Sequence, residues 1–353
     1  MSIHSPASPA SATLDSAPPE RREAKPFPSP DADRSLPRPG DPGVLFFGGH
    51  RRSGTTWLCS MLNSHPELHV RNEGWLMNDR GTSFDQWFNR EKFEAWATSR
   101  EGHGTWMRDL DVDATAALLQ RTMLTTLLKE ATLRETWKQF DQLRWIGDKT
   151  TMFYAAGAET LHRLFPAPRG RFLTMLRDGR DTAVSDLFLL FREQRFHDLP
   201  PDCSEHAIRS YQFHIKGQGP RVPLFSPALL RHIVLHWVDS VYQSRRAAEL
   251  YGTAFLEVRY EDLVRDTPAH LARVYRWLGV DASPDRIANI VHDNRFERAS
   301  GGRPRGQEDP LAEWRKGVVG DWQDRFTPED KDMFKAIAGS LLIELGYADD
   351  TKW

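Results

Sequence analysis

Residues 49 to 56 read GHRRSGTT: two glycines with four residues between them, set between a short apolar run and a helical-looking stretch. A strand, a glycine turn and a helix start in that order aim backbone N–H groups at one point, where the helix dipole adds about half a positive charge. The chemistry on offer is recognition of a phosphate or a similar anion. A nucleoside-triphosphate enzyme needs Lys at position 55 to reach the β- and γ-phosphates, and a hydroxyl at 56 for magnesium. Position 55 is Thr, and the cations come earlier, as Arg51 and Arg52. That arrangement suits a short anhydride such as a phosphosulfate better than a metal-bridged triphosphate. Alone, the segment is also compatible with a glycine-rich turn that binds nothing.

A second anion site is readable at residues 177 to 185, RDGRDTAVS. Arg177 ends an apolar run, and Ser185 falls one or two turns into the helix that follows. An arginine meets phosphate oxygens with two parallel charge-assisted bonds, and a serine adds a neutral donor. The competing reading is an exposed turn on which Asp178 and Asp181 pair with neighbouring arginines. Two such segments, each after its own strand, read together as grips for two phosphates.

Elements must hold these segments in place. Val44 to Phe47 reads as a buried strand and Thr55 to Asn63 as the helix after it. The stretch from about Ala114 to Phe140 reads as one or two helices, Leu143 to Gly147 as a second buried strand, and Ala155 to Phe165 as a helix. Arg171 to Leu176 predicts a third strand, followed by a helix from Asp181 to about Phe191, since Asp and Thr favour a helix start. Arg231 to Tyr251 is helical, Ala254 to Val258 strand-like, Ala269 to Leu278 helical up to Gly279, and Pro328 to Leu345 a last helix. Strands alternating with helices predict an α/β fold, a P-loop-like three-layer sandwich with a mostly parallel central sheet flanked by helices. Ligands of such sheets bind at the carboxyl ends of the strands.

The combined motifs resemble those of the PAPS-dependent sulfotransferases, which move a sulfuryl group from 3′-phosphoadenosine-5′-phosphosulfate (PAPS) to an acceptor. Residues 51 to 57, RRSGTTW, resemble the family's phosphosulfate loop, Pro-Lys-Ser-Gly-Thr-Thr-Trp or Pro-Arg-Ser-Gly-Thr-Thr-Leu, with Arg51 where proline is usual. The resemblance implies that Ser53, Gly54, Thr55 and Thr56 hold the 5′-phosphate, with Arg51 in the same donor-binding loop. It implies that Arg52 faces the sulfuryl group, that Trp57 stacks on adenine, and that Arg177 and Ser185 hold the ribose 3′-phosphate. Residues 314 to 322, WRKGVVGDW, resemble the Arg-Lys-Gly…Gly-Asp-Trp segment of cytosolic sulfotransferases. Arg315, Lys316 and Gly317 would then close over the 3′-phosphate; otherwise they form a basic surface loop before the helix that starts at Thr327 and Pro328. Residues 258 to 263, VRYEDL, resemble the family's Tyr-Glu-Asp segment, which puts Tyr260 near the adenine or, equally, in the core.

Sulfuryl transfer resembles phosphoryl transfer, so it needs positioning, cations at the leaving oxygen, and a base for the acceptor's proton. In the tyrosylprotein branch of the family a Glu base follows a His-Pro pair, and a Lys follows the next buried strand. By that resemblance Glu73, after His65 and Pro66, is the base, while Lys149 and Arg52 stabilise the sulfuryl group and its leaving oxygen. His50, His65 and His69 are rival bases. A kinase or NTPase reading lacks the lysine at position 55. A non-catalytic binder of adenosine 3′,5′-bisphosphate would keep the phosphate sites but would not need Glu73 or Lys149.

Composition bounds the rest. The 353 residues, 39% apolar with 12 Trp, suffice for a large core. A net charge of −2 disfavours a nucleic-acid or membrane-surface partner. Cys59 and Cys203 form no CxxC or metal-ligand spacing, so neither a disulfide framework nor a metal is expected. The longest apolar run, Leu187 to Phe191, is far short of the roughly 20 residues of a membrane-spanning helix. Residues 1–42 hold ten of the 23 prolines and one aromatic, Phe27, and read as a disordered tail ahead of a sulfotransferase domain over residues 43–348. No apolar stretch follows Arg21 and Arg22, so a cytoplasmic enzyme is expected. Its acceptor is expected to be a small molecule, with a peptide or glycan open. Residues 75–104 and 195–227 match no motif; their aromatics suggest an apolar acceptor pocket, while Trp87, Trp96 and Trp106 would equally serve as core or lid packing.

Overall fold

Residues Gly43–Gly49 (β1) are buried along their whole length, which is why Val44 to Phe47 shows no polar alternation. The computed structural model describes residues 37–74, 92, 93, 95, 111–153 and 155–353. Within it β1 is the middle strand of a five-stranded sheet, with β2 (Leu68–Asn72), β3 (Trp145–Lys149), β4 (Gly170–Leu176) and β5 (Phe255–Arg259). The order is β2-β3-β1-β4-β5, and every pairing among them is parallel. Helix α1 (Thr55–Asn63) follows β1, α2 (Val112–Glu135) precedes β3, and α3 (Ala155–Leu164) follows it. After β4 come α4 (Gly179–Glu193), α5 (Pro201–His214) and α6 (Pro227–Tyr251). After β5 come α7 (Tyr260–Arg265), α8 (Thr267–Leu278), α9 (Pro284–Asp293), α10 (Phe296–Ala299) and α11 (Pro328–Glu344).

Alternate side chains leave a strand on opposite faces, and the core divides accordingly. Leu45, Phe47, Leu173, Met175, Leu256 and Val258 pack on one face with residues of α1, α8 and α9. Val44, Phe46 and Phe172 pack on the other with α2, α3 and the end of α6. These are the three layers that the alternation of strands and helices predicts. A further apolar cluster joins α4, α5, α6 and α11 around Trp237 and Phe334.

Several boundaries differ from those read off the sequence. β3 covers 145–149 rather than 143–147, so Lys149 is the last residue of a strand. α2 stops at Glu135, and Phe140 belongs to a separate 3-10 turn, Phe140–Gln142. α4 begins two residues before Asp181, because the Asp178 side chain caps it by accepting from Arg180 N. Strand β2 and helices α5 and α9 were not anticipated. β2 is short, and His69 and Arg71 interrupt its apolar residues; the buried Lys138 Nζ pins its start by donating to the carbonyls of Asn63, His65 and Leu68. α5 and α9 each carry Pro in the first turn, a helix-start signal present in the sequence.

β1 and β3 approach so closely at Gly147 that a Cβ there would lie 1.9 Å from the Leu45 carbonyl oxygen. Gly147→Ala should therefore cost about 1–3 kcal/mol of stability through overpacking. Urea unfolding measures this, and an unchanged midpoint would contradict the close approach of the two strands.

Candidate active site

The loop between β1 and α1 is built around a tight turn. Ser53 N donates to His50 O at 3.2 Å, and Arg52, the third residue of the turn, has φ 67°. Gly54 follows at φ 90°, and a Cβ on it would lie 2.6 Å from the ring of Tyr260. Glycine is required there both by conformation and by space. No side-chain oxygen caps α1, and Gly54, Thr55 and Thr56 line the adjoining cleft.

That cleft, about 750 Å³ of space counting its open mouth, lies over the carboxyl ends of β1, β4 and β5. It brings together Arg52, Gly54, Thr55, Thr56, Trp57, Arg177, Ser185, Tyr260, Arg315, Lys316 and Gly317. Phe296, Arg305, Glu313, Trp314 and Val318 complete the wall and were not anticipated. The basic, glycine-bearing stretch Arg303 to Gly306 is the signal that would have found Arg305. Arg52, Arg177, Arg305, Arg315 and Lys316 face a single carboxylate in the lining, that of Glu313. Arg51 and Ser53 are not among the lining residues, and Arg51 is paired with Asp186.

The cations of the cleft are held mainly by neutral acceptors. Arg52 Nε donates to Ser185 Oγ at 3.1 Å and its Nη2 to Glu313 O at 2.9 Å. Arg177 donates to Arg52 O at 3.0 Å and to Val318 O at 3.1 Å, with its guanidinium 4.3 Å from the centre of the Tyr260 ring. Burial and the neighbouring Arg192 push the Arg52 guanidinium down to about 10. Nε of Arg177, Nε of Arg315 and Oγ of Ser53 are buried and meet no hydrogen-bond partner among the described residues. Such unpartnered buried polar groups cost about 1–3 kcal/mol each, which an incoming anion would relieve.

Asp178 and Asp181 do not sit on an exposed turn. Asp178 is buried against Arg180, and Asp181 accepts from Gly320 N at 2.7 Å and Trp322 N at 3.1 Å. Arg315 pairs with Glu308 and Asp321, and Lys316 Nζ lies 2.5 Å from Asp321. Burial alone would raise the Asp321 carboxyl, but Arg315 and Lys316 hold it below the usual range. On the aromatic side, Trp57 is oriented by a 2.8 Å hydrogen bond to Asn294 O, and Arg305 lies 5.5 Å from its ring.

Lys149 and Glu73 do not line this cleft; they meet each other at the carboxyl end of β3, the strand next to β1. Lys149 is fully buried, and its Nζ lies 2.5 Å from Glu73 Oε1. Glu73 N donates to Lys149 O at 2.8 Å, and Thr151 Oγ1 lies 3.2 Å from both carboxylate oxygens. Of the rival histidines, His50 lies in the phosphate loop itself, and His65 and His69 have partners of their own. His65 contacts Asp281 O at 3.1 Å under the Tyr275 ring, and His69 lies 3.5 Å from Glu135. His50 is buried, with Nδ1 2.7 Å from Arg51 O. Trp87, Trp96 and Trp106, most of the 75–104 segment and nearly all of the 1–42 tail lie outside the described residues.

A family model described as "Sulfotransferase family" matches residues 42–284. The chain belongs to the sulfotransferase family. Cytosolic sulfotransferase 1 of Danio rerio is 24% identical over 186 residues, 51% of this chain and 56% of that protein. The match thus spans little more than half of that relative's length. Among solved structures, mouse sulfotransferase SULT7A1 complexed with PAP is similar with a TM-score of 0.49 and 18% identity, over 86% of this chain and 87% of that one. A sulfotransferase from Alicyclobacillus acidocaldarius is similar with a TM-score of 0.47 and 16% identity, over 88% of this chain and 98% of that one. The family match ends at the first residue of α9, so the wall formed by residues 296 to 318 lies beyond it.

Burial pushes His50 from 6.5 down to about 4. Between those values the unfolded chain binds the extra proton, so the stability contributed by neutral His50 is complete above pH 6.5 and is lost as pH falls toward 4. The loss should approach about 3 kcal/mol. Unfolding free energies measured from pH 7 to 4 check this: His50→Gln should flatten the acid slope, and an identical slope would refute it.

Proposed function

We propose that the protein transfers a sulfuryl group from PAPS to a hydroxyl or amine of a small-molecule acceptor in the cytoplasm, with Glu73 as general base. The observation that carries this reading is the cleft in which five cationic side chains face one carboxylate, together with the unpartnered donors of Arg177, Arg315 and Ser53. Such a cleft fits a polyanion with more than one charged end. Ser53 to Thr56 would take the 5′-phosphate, Arg177 and Ser185 the 3′-phosphate with Arg315, Lys316 and Gly317 closing over it, and Trp57 and Tyr260 the adenine.

Transfer needs cations at the bridging oxygen, where negative charge develops as the bond to sulfur loosens. Arg52 and Lys149 supply them. The acceptor's proton passes to a Glu73 oxygen while the acceptor atom bonds to sulfur, and adenosine 3′,5′-bisphosphate leaves with the bonding electrons. Glu73 lies on the β3 side of the loop, so the acceptor approaches from there rather than through the adenosine cleft. The 2.5 Å pair between Glu73 and the buried Lys149 favours this reading over a non-catalytic nucleotide binder, which has no use for a charge pair placed there. No helix among the described residues is long and apolar enough to cross a membrane.

Two measurements test the proposal. Adenosine 3′,5′-bisphosphate should raise the melting temperature without magnesium, by the equivalent of roughly 2.7 kcal/mol at 100 times its dissociation constant. Equal stabilisation by ATP would count heavily against it. Glu73→Gln should lower turnover of labelled PAPS by about 100-fold or more while nucleotide binding stays near the parent value. Retained turnover would remove Glu73 from the role of base.

A further inference from the structure

Resting on the donor reading above, we infer that Arg51 is a positioning residue, whose ion pair with Asp186 clasps the phosphate loop onto α4 and so couples the two phosphate grips. Arg51 belongs to the donor-binding loop by resemblance, yet it does not line the cleft. Its guanidinium makes one hydrogen bond to the carboxylate, Nη2 donating to Asp186 Oδ2 at 2.9 Å, and a close ion-pair contact, Nε lying 2.6 Å from Oδ1 without hydrogen-bond geometry. The Asp186 side chain is 1% exposed. A charge-assisted arginine–carboxylate hydrogen bond is among the stronger contacts available to side chains. With its charge answered by Asp186, Arg51 brings little net attraction to a bound phosphate.

Its place in the chain gives the pair its effect. Arg51 directly precedes Arg52, and Asp186 directly follows Ser185. Arg52 Nε donates to Ser185 Oγ at 3.1 Å, so two consecutive loop residues meet two consecutive residues of α4. One contact is an ion pair, and the other joins the side chain assigned to the sulfuryl group to the one assigned to the 3′-phosphate.

The backbone shows why such a clasp is needed. The turn from His50 to Ser53 has its third residue at φ 67°, while Arg51, the second, is not among the residues of positive φ. That is the pattern of a type II turn, which favours Pro second and Gly third. Here both positions are arginine. Without the proline ring the second position is not fixed in advance, and with a Cβ the left-handed third position is strained. The Arg51–Asp186 ion pair supplies from the side chains the restraint that the backbone lacks.

Two variants test the inference, with adenosine 3′,5′-bisphosphate as the titrated probe and thermal melting as the check on folding. Arg51→Ala should weaken binding by about tenfold, the effect of losing one coupled charge pair. The double variant Arg51→Pro/Asp186→Asn, which restores the ring and removes the buried charge, should recover binding to within about threefold of the parent, a factor worth well under 1 kcal/mol. Parent-like binding by Arg51→Ala would overturn the inference. So would a double variant as weak as Arg51→Ala, because Arg51 would then touch the nucleotide itself. If Arg51→Ala does not fold, the double variant decides, and its own failure to fold counts against the clasp. A parent protein that binds no nucleotide would instead sink the donor reading, a result visible before any variant is made.

Discussion

Like charges gathered in a partly desolvated cleft repel one another, and the local architecture depends on how that repulsion is contained. The arginines fall into two groups by partner. Arg52, Arg177 and Arg305 donate to backbone carbonyls or a hydroxyl, Glu313 O, Arg52 O, Val318 O, Gly317 O and Ser185 Oγ, and Arg177 has in addition the more distant carboxylate of Asp181 at 3.8 Å. Arg51, Arg180 and Arg315 are held by the carboxylates of Asp186, Asp178, Glu308 and Asp321. A carbonyl dipole yields to a phosphate more readily than a carboxylate does, because charge-assisted bonds are roughly twice as strong as neutral ones. The first group is therefore the more readily available to a ligand; in the second, Arg51 and Arg180 are scaffold, while Arg315 keeps an unpartnered Nε on the cleft.

The buried carboxylates have a matching role. Asp178 caps α4, Asp181 ties the start of α4 to Gly320 and Trp322, and Asp321 holds Arg315 and Lys316. Each is engaged with backbone N–H groups or a cation, so none is left to repel an anion in the cleft. The acidic residues of the 177 to 185 segment thus aim Arg177 and Ser185 by fixing the helix that carries Ser185. They also bring the chain near residue 320 over the cleft, although it is more than a hundred residues away in sequence.

Much of this was legible in the residues. The phosphate loop, Arg177 with Ser185, and the 315 to 317 triplet combine residue types and spacings that few other structures need, and the runs at β1 and β4 are apolar enough to mark buried strands. What escaped had physical causes. β2 is only five residues long, so the alternation of Leu68 and Val70 with His69 and Arg71 spans too few residues to mark a strand. Arg305 and Phe296 reach the cleft through the irregular chain after α9, where no periodicity reports direction. The partner of Arg51 was invisible because Asp186 lies in the middle of a helix, with nothing local to say which way it points.

The order of the strands explains why one small sheet can serve the whole reaction on the proposed reading. β3, β1, β4 and β5 lie side by side, and their carboxyl ends carry, in that order, Lys149, the phosphate loop, Arg177 and Tyr260. With neighbouring strands about 4.8 Å apart, this row sets out base and sulfuryl cation, 5′-phosphate, 3′-phosphate and adenine in the sequence in which the donor itself presents them. The chain does not visit the strands in spatial order. After β2 and β3 on one side of β1 it crosses to β4 and β5 on the other, and β1 is where the loops on its two sides diverge. A crevice at such a switch point follows from topology. The residues placed around it decide what it holds, and here they are cations on the β4 side and a Glu–Lys pair on the β3 side, which on the proposed reading would flank the reacting group.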